Sequence, residues 1–159
     1  MNNNKIEDSL NKIFSTPGYK MVDVSNKEIT HRKALAVGEI ISTSKVIEMI
    51  KTKKMPKGDP LAIAEVAGIN GVKKTSELIP LCHPLSLDHI SIHTEIDEAK
   101  NSITVYCLVS ANSKTGVEME ALSGVNSSLL AIYDLSKIVE PNLKITNTKL
   151  LVKSGGKKG

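Results

Sequence analysis

Two stretches of strict alternation, separated by five turn-forming residues, constrain this chain more than any other feature. In HISIHTEI (residues 89–96) apolar residues fall on every second position, and Ile103, Val105, Cys107 and Val109 repeat the pattern in SITVYCLVS. A period of two sends successive side chains to opposite faces of a strand, so each stretch is half-buried. DEAKN between them is a turn, and the pair is predicted to form a hairpin. A hairpin with one apolar face must bury that face against other elements.

The flanking sequence supplies those elements. RKALAVGEIIS (residues 32–42) is rich in small and β-branched residues and predicts a strand. YKMVDVS before it predicts a short strand. STSKVIEMIKTKK offers Ser and Thr caps followed by Val46, Ile47 and Ile50 at helical spacing, and MPKGDP is a break. Asp59 then suits an N-cap and Pro60 the first helical position. Leu61, Ala64, Ala67 and Gly68 form a stripe of mostly small residues that permits close packing. This helix is predicted to run through GVKKTSELI and to end near Pro80. The longest helix spans TGVEMEALSGVNSSLLAIYDLSKIVE, with Leu122, Val125, Leu129, Ile132 and Val139 as its apolar stripe and Pro141 as its stop. LKITNTKLLVKS is a final strand. From Arg32 onward the order is β-α-β-β-α-β, with a helix pair in the first crossover. That is the ferredoxin-like plan: an α+β fold with an antiparallel sheet and helices on one face. Residues 1–18, closing on Pro17-Gly18, are expected to be a loose N-terminal arm, and residues 19–159 a single domain without internal repeats.

Composition narrows the function classes. Hydrophobic residues make up 40 % of the 159 positions and charged residues 24 %, an ordinary balance for a folded soluble domain. Aromatics are only 3 %, so the core must be aliphatic and base stacking is poorly provided for. The net charge of +4 suits an anionic small molecule as well as a nucleic acid. Of 21 basic residues only Arg32 is an arginine, which marks a place where a planar guanidinium fork could be needed. Cys82 and Cys107 are the only cysteines; with no CxxC pair, a reducing compartment is the default. No apolar run reaches the ~18 residues of a membrane span, and the N-terminus lacks a signal-peptide core. The expected location is the cytoplasm, with no membrane partner.

Several constellations could carry chemistry. In LIPLCHPLS, Ile79 and His83 both precede prolines, which biases them to extended geometry. The segment is therefore a stiff bridge that holds Cys82 and His83, either as a plain connector or as a pocket wall. A structural metal is not expected: four ligands are wanted, and His89 and His93, four strand positions apart, lie ~13 Å from each other. Asp134 and Lys137 are three apart on the long helix and can touch, as an ordinary surface pair would. Glu118 and Glu120 begin that helix, where its dipole favours them. Glu120 and Asp134 are ~21 Å apart along the axis, so if both serve chemistry they meet opposite ends of a long substrate or belong to different pockets, each then completed by a second chain. Lys57 sits in the break beside Gly58, Lys73 and Lys74 suit a solvated helix face, and KSGGKKG resembles a phosphate loop without the strand–helix context of one.

Taken in order, MVDVS, the lone Arg32, KGDP, AGI at 67–69, LIPLCHPL, KTGVEMEAL, IYD with Lys137, and LLVKSGGK resemble the molybdenum cofactor biosynthesis protein C family. The resemblance covers residues 19–158, and LIPLCHPL and KTGVEMEAL are long, specific motifs. AEVAGINGVKKTSELIP is one version of a variable helix, and the N-terminal arm is unmatched. The resemblance implies a ferredoxin-like fold and a cyclic pyranopterin monophosphate synthase, a lyase that converts 3′,8-cyclo-7,8-dihydro-GTP to cyclic pyranopterin monophosphate and releases diphosphate. It implies a homohexamer, a trimer of dimers, with sites at the dimer interface. It assigns Asp134, Lys137 and Lys57 to catalysis. It assigns Leu81, Cys82, His83, Met119 and Glu120 to substrate binding, with Arg32, Lys73, Glu118 and Lys153 as further pocket residues. No cofactor is required by the sequence, although Mg2+ could accompany the triphosphate. The alternative is a non-enzymatic ferredoxin-like regulatory or nucleic-acid-binding module, against which the missing aromatics stand.

Overall fold

The alternating segments pair as the hairpin pattern requires. The computed structural model describes residues 3–15 and 17–156. Along them run α1 (Asn3–Phe14), β1 (Thr30–Ile41), α2 (Ser44–Lys51), α3 (Pro60–Lys73), α4 (Thr75–Leu78), β2 (His89–Asp97), β3 (Ser102–Ser113), α5 (Glu118–Ser136) and β4 (Lys144–Ser154). β2 and β3 are antiparallel, with Ile96 opposite Ile103 and Ile92 opposite Cys107. β1 lies against β3 and β4 against β1, both antiparallel, which gives a four-stranded sheet in the order β2-β3-β1-β4. This order, with α2 and α3 in the first crossover and α5 in the second, is ferredoxin-like.

One face of the sheet is closed by helices. Ala34, Ala36 and Ile40 of β1 and Ile103, Val105, Cys107, Val109 and Ala111 of β3 are fully buried beneath Ala121, Val125, Leu129 and Ile132 of α5. The buried core is aliphatic, as the composition demands. α3 lies along α5 through small residues. Ser128 of α5 donates to the Ala64 carbonyl at 2.8 Å, and a Cβ placed on Gly124 would stand 2.5 Å from Cys107 Sγ and 2.7 Å from Val72 Cγ2. Asp59 caps α3 by accepting from the N–H groups of Leu61 and Ala62, with Pro60 in the first turn as its fixed φ favours.

The structure departs from the expected elements at four places. YKMVDVS is not a strand: Tyr19, Met21 and Val22 are exposed, and the segment pairs with neither edge of the sheet. The helix expected to reach Pro80 breaks at Lys74, where the buried Thr75 hydroxyl donates to the carbonyls of Gly71 and Val72 and α4 begins separately. The longest helix ends at Ser136 rather than running on toward Pro141. The arm is helical from Asn3 to Phe14, with residues 5–15 exposed; Ile6, Leu10 and Phe14 at four-residue spacing carried that signal.

Among the described residues no helix lies over the opposite face of the sheet. There Leu35 stands opposite Leu108 and Val37 opposite Tyr106, and the Tyr106 ring stacks on His93 with centroids 6.2 Å apart. Among the described residues no helix is long and apolar enough to cross a membrane.

Candidate functional site

Asp134 occupies the last turn of α5, and Lys137 follows one turn on. Their Oδ1–Nζ distance is 2.7 Å. Lys57, in the break between α2 and α3, arrives from 77 residues away because α3 lies antiparallel along α5. Its Nζ donates to Asp134 Oδ2 at 3.1 Å and to the Asp134 carbonyl at 3.3 Å. One carboxylate thus holds two ammonium groups, one on each oxygen, and all three side chains remain about half exposed. Hydrogen bonds from Lys137 and then Lys57 hold the Asp134 carboxyl below the usual carboxylate range. The same hydrogen bond and charge from Asp134 raise Lys137 above an ordinary lysine. Asp134 therefore favours the protonated form of Lys137.

The other end of α5 borders a cleft of about 640 Å³ between the start of β1, the β3–α5 loop and the end of β4. Five cationic side chains (Lys27, Arg32, Lys33, Lys114 and Lys153) line it against two carboxylates, Glu28 and Glu118. Arg32 is a wall component first: its Nε donates to the Ser113 carbonyl at 3.2 Å, Nη1 to Gly155 at 3.1 Å and Nη2 to Lys114 at 3.3 Å. Three of the five guanidinium N–H groups are so committed, and two remain for a ligand. Gly155 takes φ 94°, a left-handed conformation that suits glycine, and a Cβ there would meet the His31 carbonyl. Gly155 is thus tied into the cleft wall. Lys153 reaches Glu118 at 3.5 Å. Residues 157–159 lie outside the described residues.

Glu120, in the first turn of α5, is only 5 % exposed. Burial pushes its carboxyl above the ordinary range, its own backbone N–H opposes this and the Glu118 charge adds to it. Cys82 lies close enough to feel Glu120: burial first, then that charge, raise its thiol pKa. A raised thiol pKa disfavours the nucleophilic thiolate, which fits a wall residue. Its segment is a stiff, non-helical connection, with Ile79 extended before Pro80 and the Cys82 N–H donating to the Ile79 carbonyl at 3.0 Å. Leu81 and Met119 are exposed and His83 is partly so. Lys73 closes α3, whose last turn packs near Gly124 and Ser127, and stays exposed.

The residues singled out in the sequence therefore form two groups. Glu118, Glu120, Cys82, Arg32, Lys153 and their neighbours gather around the start of α5; Lys57, Asp134 and Lys137 gather at its end. Glu118 and Asp134 are ~24 Å apart along the axis, so one chain does not bring the groups together. Lys27, Lys33 and Lys114 escaped the sequence reading. Lys33 adjoins the lone arginine and Lys114 opens the KTGVEMEAL motif, and that adjacency was the one signal available. Two aromatics, Phe14 and Tyr19, are exposed after all, but on the N-terminal segment rather than the sheet. Among the described residues no group of three or more His, Cys, Asp or Glu side chains is placed to hold a metal.

Residues 21–156 match the model of the MoaC family. The chain belongs to the MoaC family. It is 48 % identical over 139 residues to the cyclic pyranopterin monophosphate synthase of Clostridium perfringens (strain SM101), covering 87 % of this chain and 88 % of that one. It is 42 % identical over 152 residues to the protein of the same name from Chloroflexus aggregans, covering 96 % and 92 %. The corresponding protein of Heliobacterium modesticaldum is 41 % identical over 152 residues, 96 % of each chain. The family match takes in both residue groups and leaves α1 outside.

Proposed function

We propose that this protein is a cyclic pyranopterin monophosphate synthase of molybdenum cofactor biosynthesis, converting 3′,8-cyclo-7,8-dihydro-GTP to cyclic pyranopterin monophosphate with loss of diphosphate. Family membership and the relatives' names support the reading, and one observation carries it at the level of chemistry. Asp134 holds Lys137 at 2.7 Å and Lys57 at 3.1 Å on a half-exposed surface. The reaction opens a purine-derived ring, builds a pyrazine ring and closes a cyclic phosphate. Each stage moves protons, so positioned acid–base groups are required. Lys137 and Lys57 shuttle the protons, and Asp134 orients both.

The cationic cleft receives the polyphosphate. Arg32 and Lys153 neutralise charge as diphosphate departs, with Lys73 as a further cation. Glu118 in the cleft lining and the neighbouring Glu120 would take the N–H donors of the guanine-derived edge, and Leu81, Cys82, His83 and Met119, which lie outside that lining, would extend the site. Mg2+ accompanying the triphosphate would take most of its oxygen ligands from phosphate and water, because of the cleft's two carboxylates Glu118 already pairs with Lys153. The ~24 Å between the two groups supports sites shared between copies, in a homohexamer built as a trimer of dimers. The apolar row on the helix-free sheet face, where solvent would favour polar side chains, supports self-association too.

Diphosphate release from the cyclised nucleotide tests the activity. Lys137→Ala should lower kcat by ~10²-fold or more while the variant keeps the wild-type mass in solution. Near wild-type turnover by Lys137→Ala would remove the proposed role.

A further inference from the structure

Residues 17–29 contain no helix or strand, yet Asn26, Lys27 and Glu28 form one wall of the cationic cleft. What order the segment has comes from a small turn. Asp23 Oδ1 accepts from the Ser25 N–H at 2.8 Å, and the Lys27 N–H donates to the Val24 carbonyl at 3.1 Å. Among the described residues, one hydrogen bond ties residues 17–28 to the remainder of the domain: Lys114 Nζ donates to the Ser25 carbonyl at 2.7 Å. Lys114 stands in the β3–α5 loop, and its own carbonyl accepts from Arg32 Nη2 at 3.3 Å. One residue thus joins the wall on one side to the arginine on the other.

We propose that Lys114 is a positioning residue whose ammonium latches residues 23–28 onto the β3–α5 loop, giving the cleft the shape that receives the polyphosphate end of the substrate. This rests on the function proposed above for the same cleft. A lysine is well suited to such a latch. Its flexible stem spans from the loop to the segment, and a charged donor makes a stronger bond to a carbonyl than a neutral one. The Asp23 carboxyl lies near enough for the Lys114 charge to help hold its pKa down, after the larger effect of the Ser25 hydrogen bonds. That attraction adds to the latch. Lys114 makes no hydrogen bond to Lys57, Asp134 or Lys137, which lie at the far end of α5 of the same copy, so the latch governs binding rather than the proton transfers.

Lys114→Met, which keeps the stem and deletes the donors, and Lys114→Arg, which restores donors and charge, test this. Two readouts are needed: steady-state diphosphate release, and amide hydrogen exchange of substrate-free protein at Ser25 and Lys27. Lys114→Met should raise KM ~10-fold with kcat within ~3-fold, and speed exchange at those amides ~10-fold or more. Lys114→Arg should recover most of both. Unchanged exchange in Lys114→Met with a raised KM would make Lys114 a direct ligand contact and overturn the latch. A fall in kcat matching that in kcat/KM would overturn it as well. If the wild-type protein released no diphosphate, the function reading would fail, while the exchange comparison would still decide whether the latch exists.

Discussion

Glu120 illustrates how one side chain can carry a cost that reveals its job. It is buried at the start of α5 with a carboxyl pushed above the ordinary range, chiefly by desolvation. A carboxyl raised on folding costs nothing below its unfolded pKa and most above its folded one. Stability contributed at this position should therefore fall as pH rises from the ordinary glutamate value of 4.5 through the raised folded value. Glu120→Gln should raise Tm at about pH 8 and leave it unchanged at about pH 4, as thermal unfolding at the two pH values would show; equal Tm shifts at both would contradict the assignment. Residue by residue, much of this chemistry was visible in the sequence. Asp134 and Lys137 touch as three-residue spacing requires. That Lys57 also reaches Asp134 was not visible, because the two meet across 77 residues. Arg32 stood out in the sequence by being alone, but its commitment to three carbonyls is a matter of tertiary geometry.

The elements follow from local patterns wherever one pattern dominates. The hairpin, β1, α2, α5 and β4 stand close to where periodicity put them, because period two and period 3.6 were each unambiguous there. The failures lie where another local or tertiary demand wins. YKMVDVS has strand-like residues, but the Asp23 carboxylate takes the Ser25 N–H into a turn that competes with a sheet ladder. α3 stops where Thr75 takes up its last carbonyls. The small-residue stripe on α3 was legible; its match to Gly124 on α5 was not. Gly124→Ala would press a methyl against buried Cys107 and Val72. Overpacking costs ~1–3 kcal/mol, offset in part by the ~1 kcal/mol better helix propensity of alanine. A net loss of stability in urea titration is expected, and a gain would mean that α3 and α5 can part without penalty.

For the whole molecule, the open question of assembly has a physical handle. The helix-free sheet face bears Leu35, Val37, Tyr106 and Leu108, and the two halves of the candidate site lie at opposite ends of α5. Sedimentation should give six times the chain mass of 17.2 kDa, and Leu108→Lys, which sets a charge in the middle of the apolar row, should give smaller species. A wild-type protein that sediments as a single chain would remove the shared-site proposal. Arg32 carries a last consequence. Its side chain grips backbone 81, 82 and 123 residues downstream, so it acts as a rivet before it acts as a charge. A guanidinium pinned from behind has little rotamer freedom left to surrender, and under the proposed function an incoming anion would meet a fork already aimed. Of all the cations around this cleft, the one that cannot swing away is the one the chain did not make a lysine.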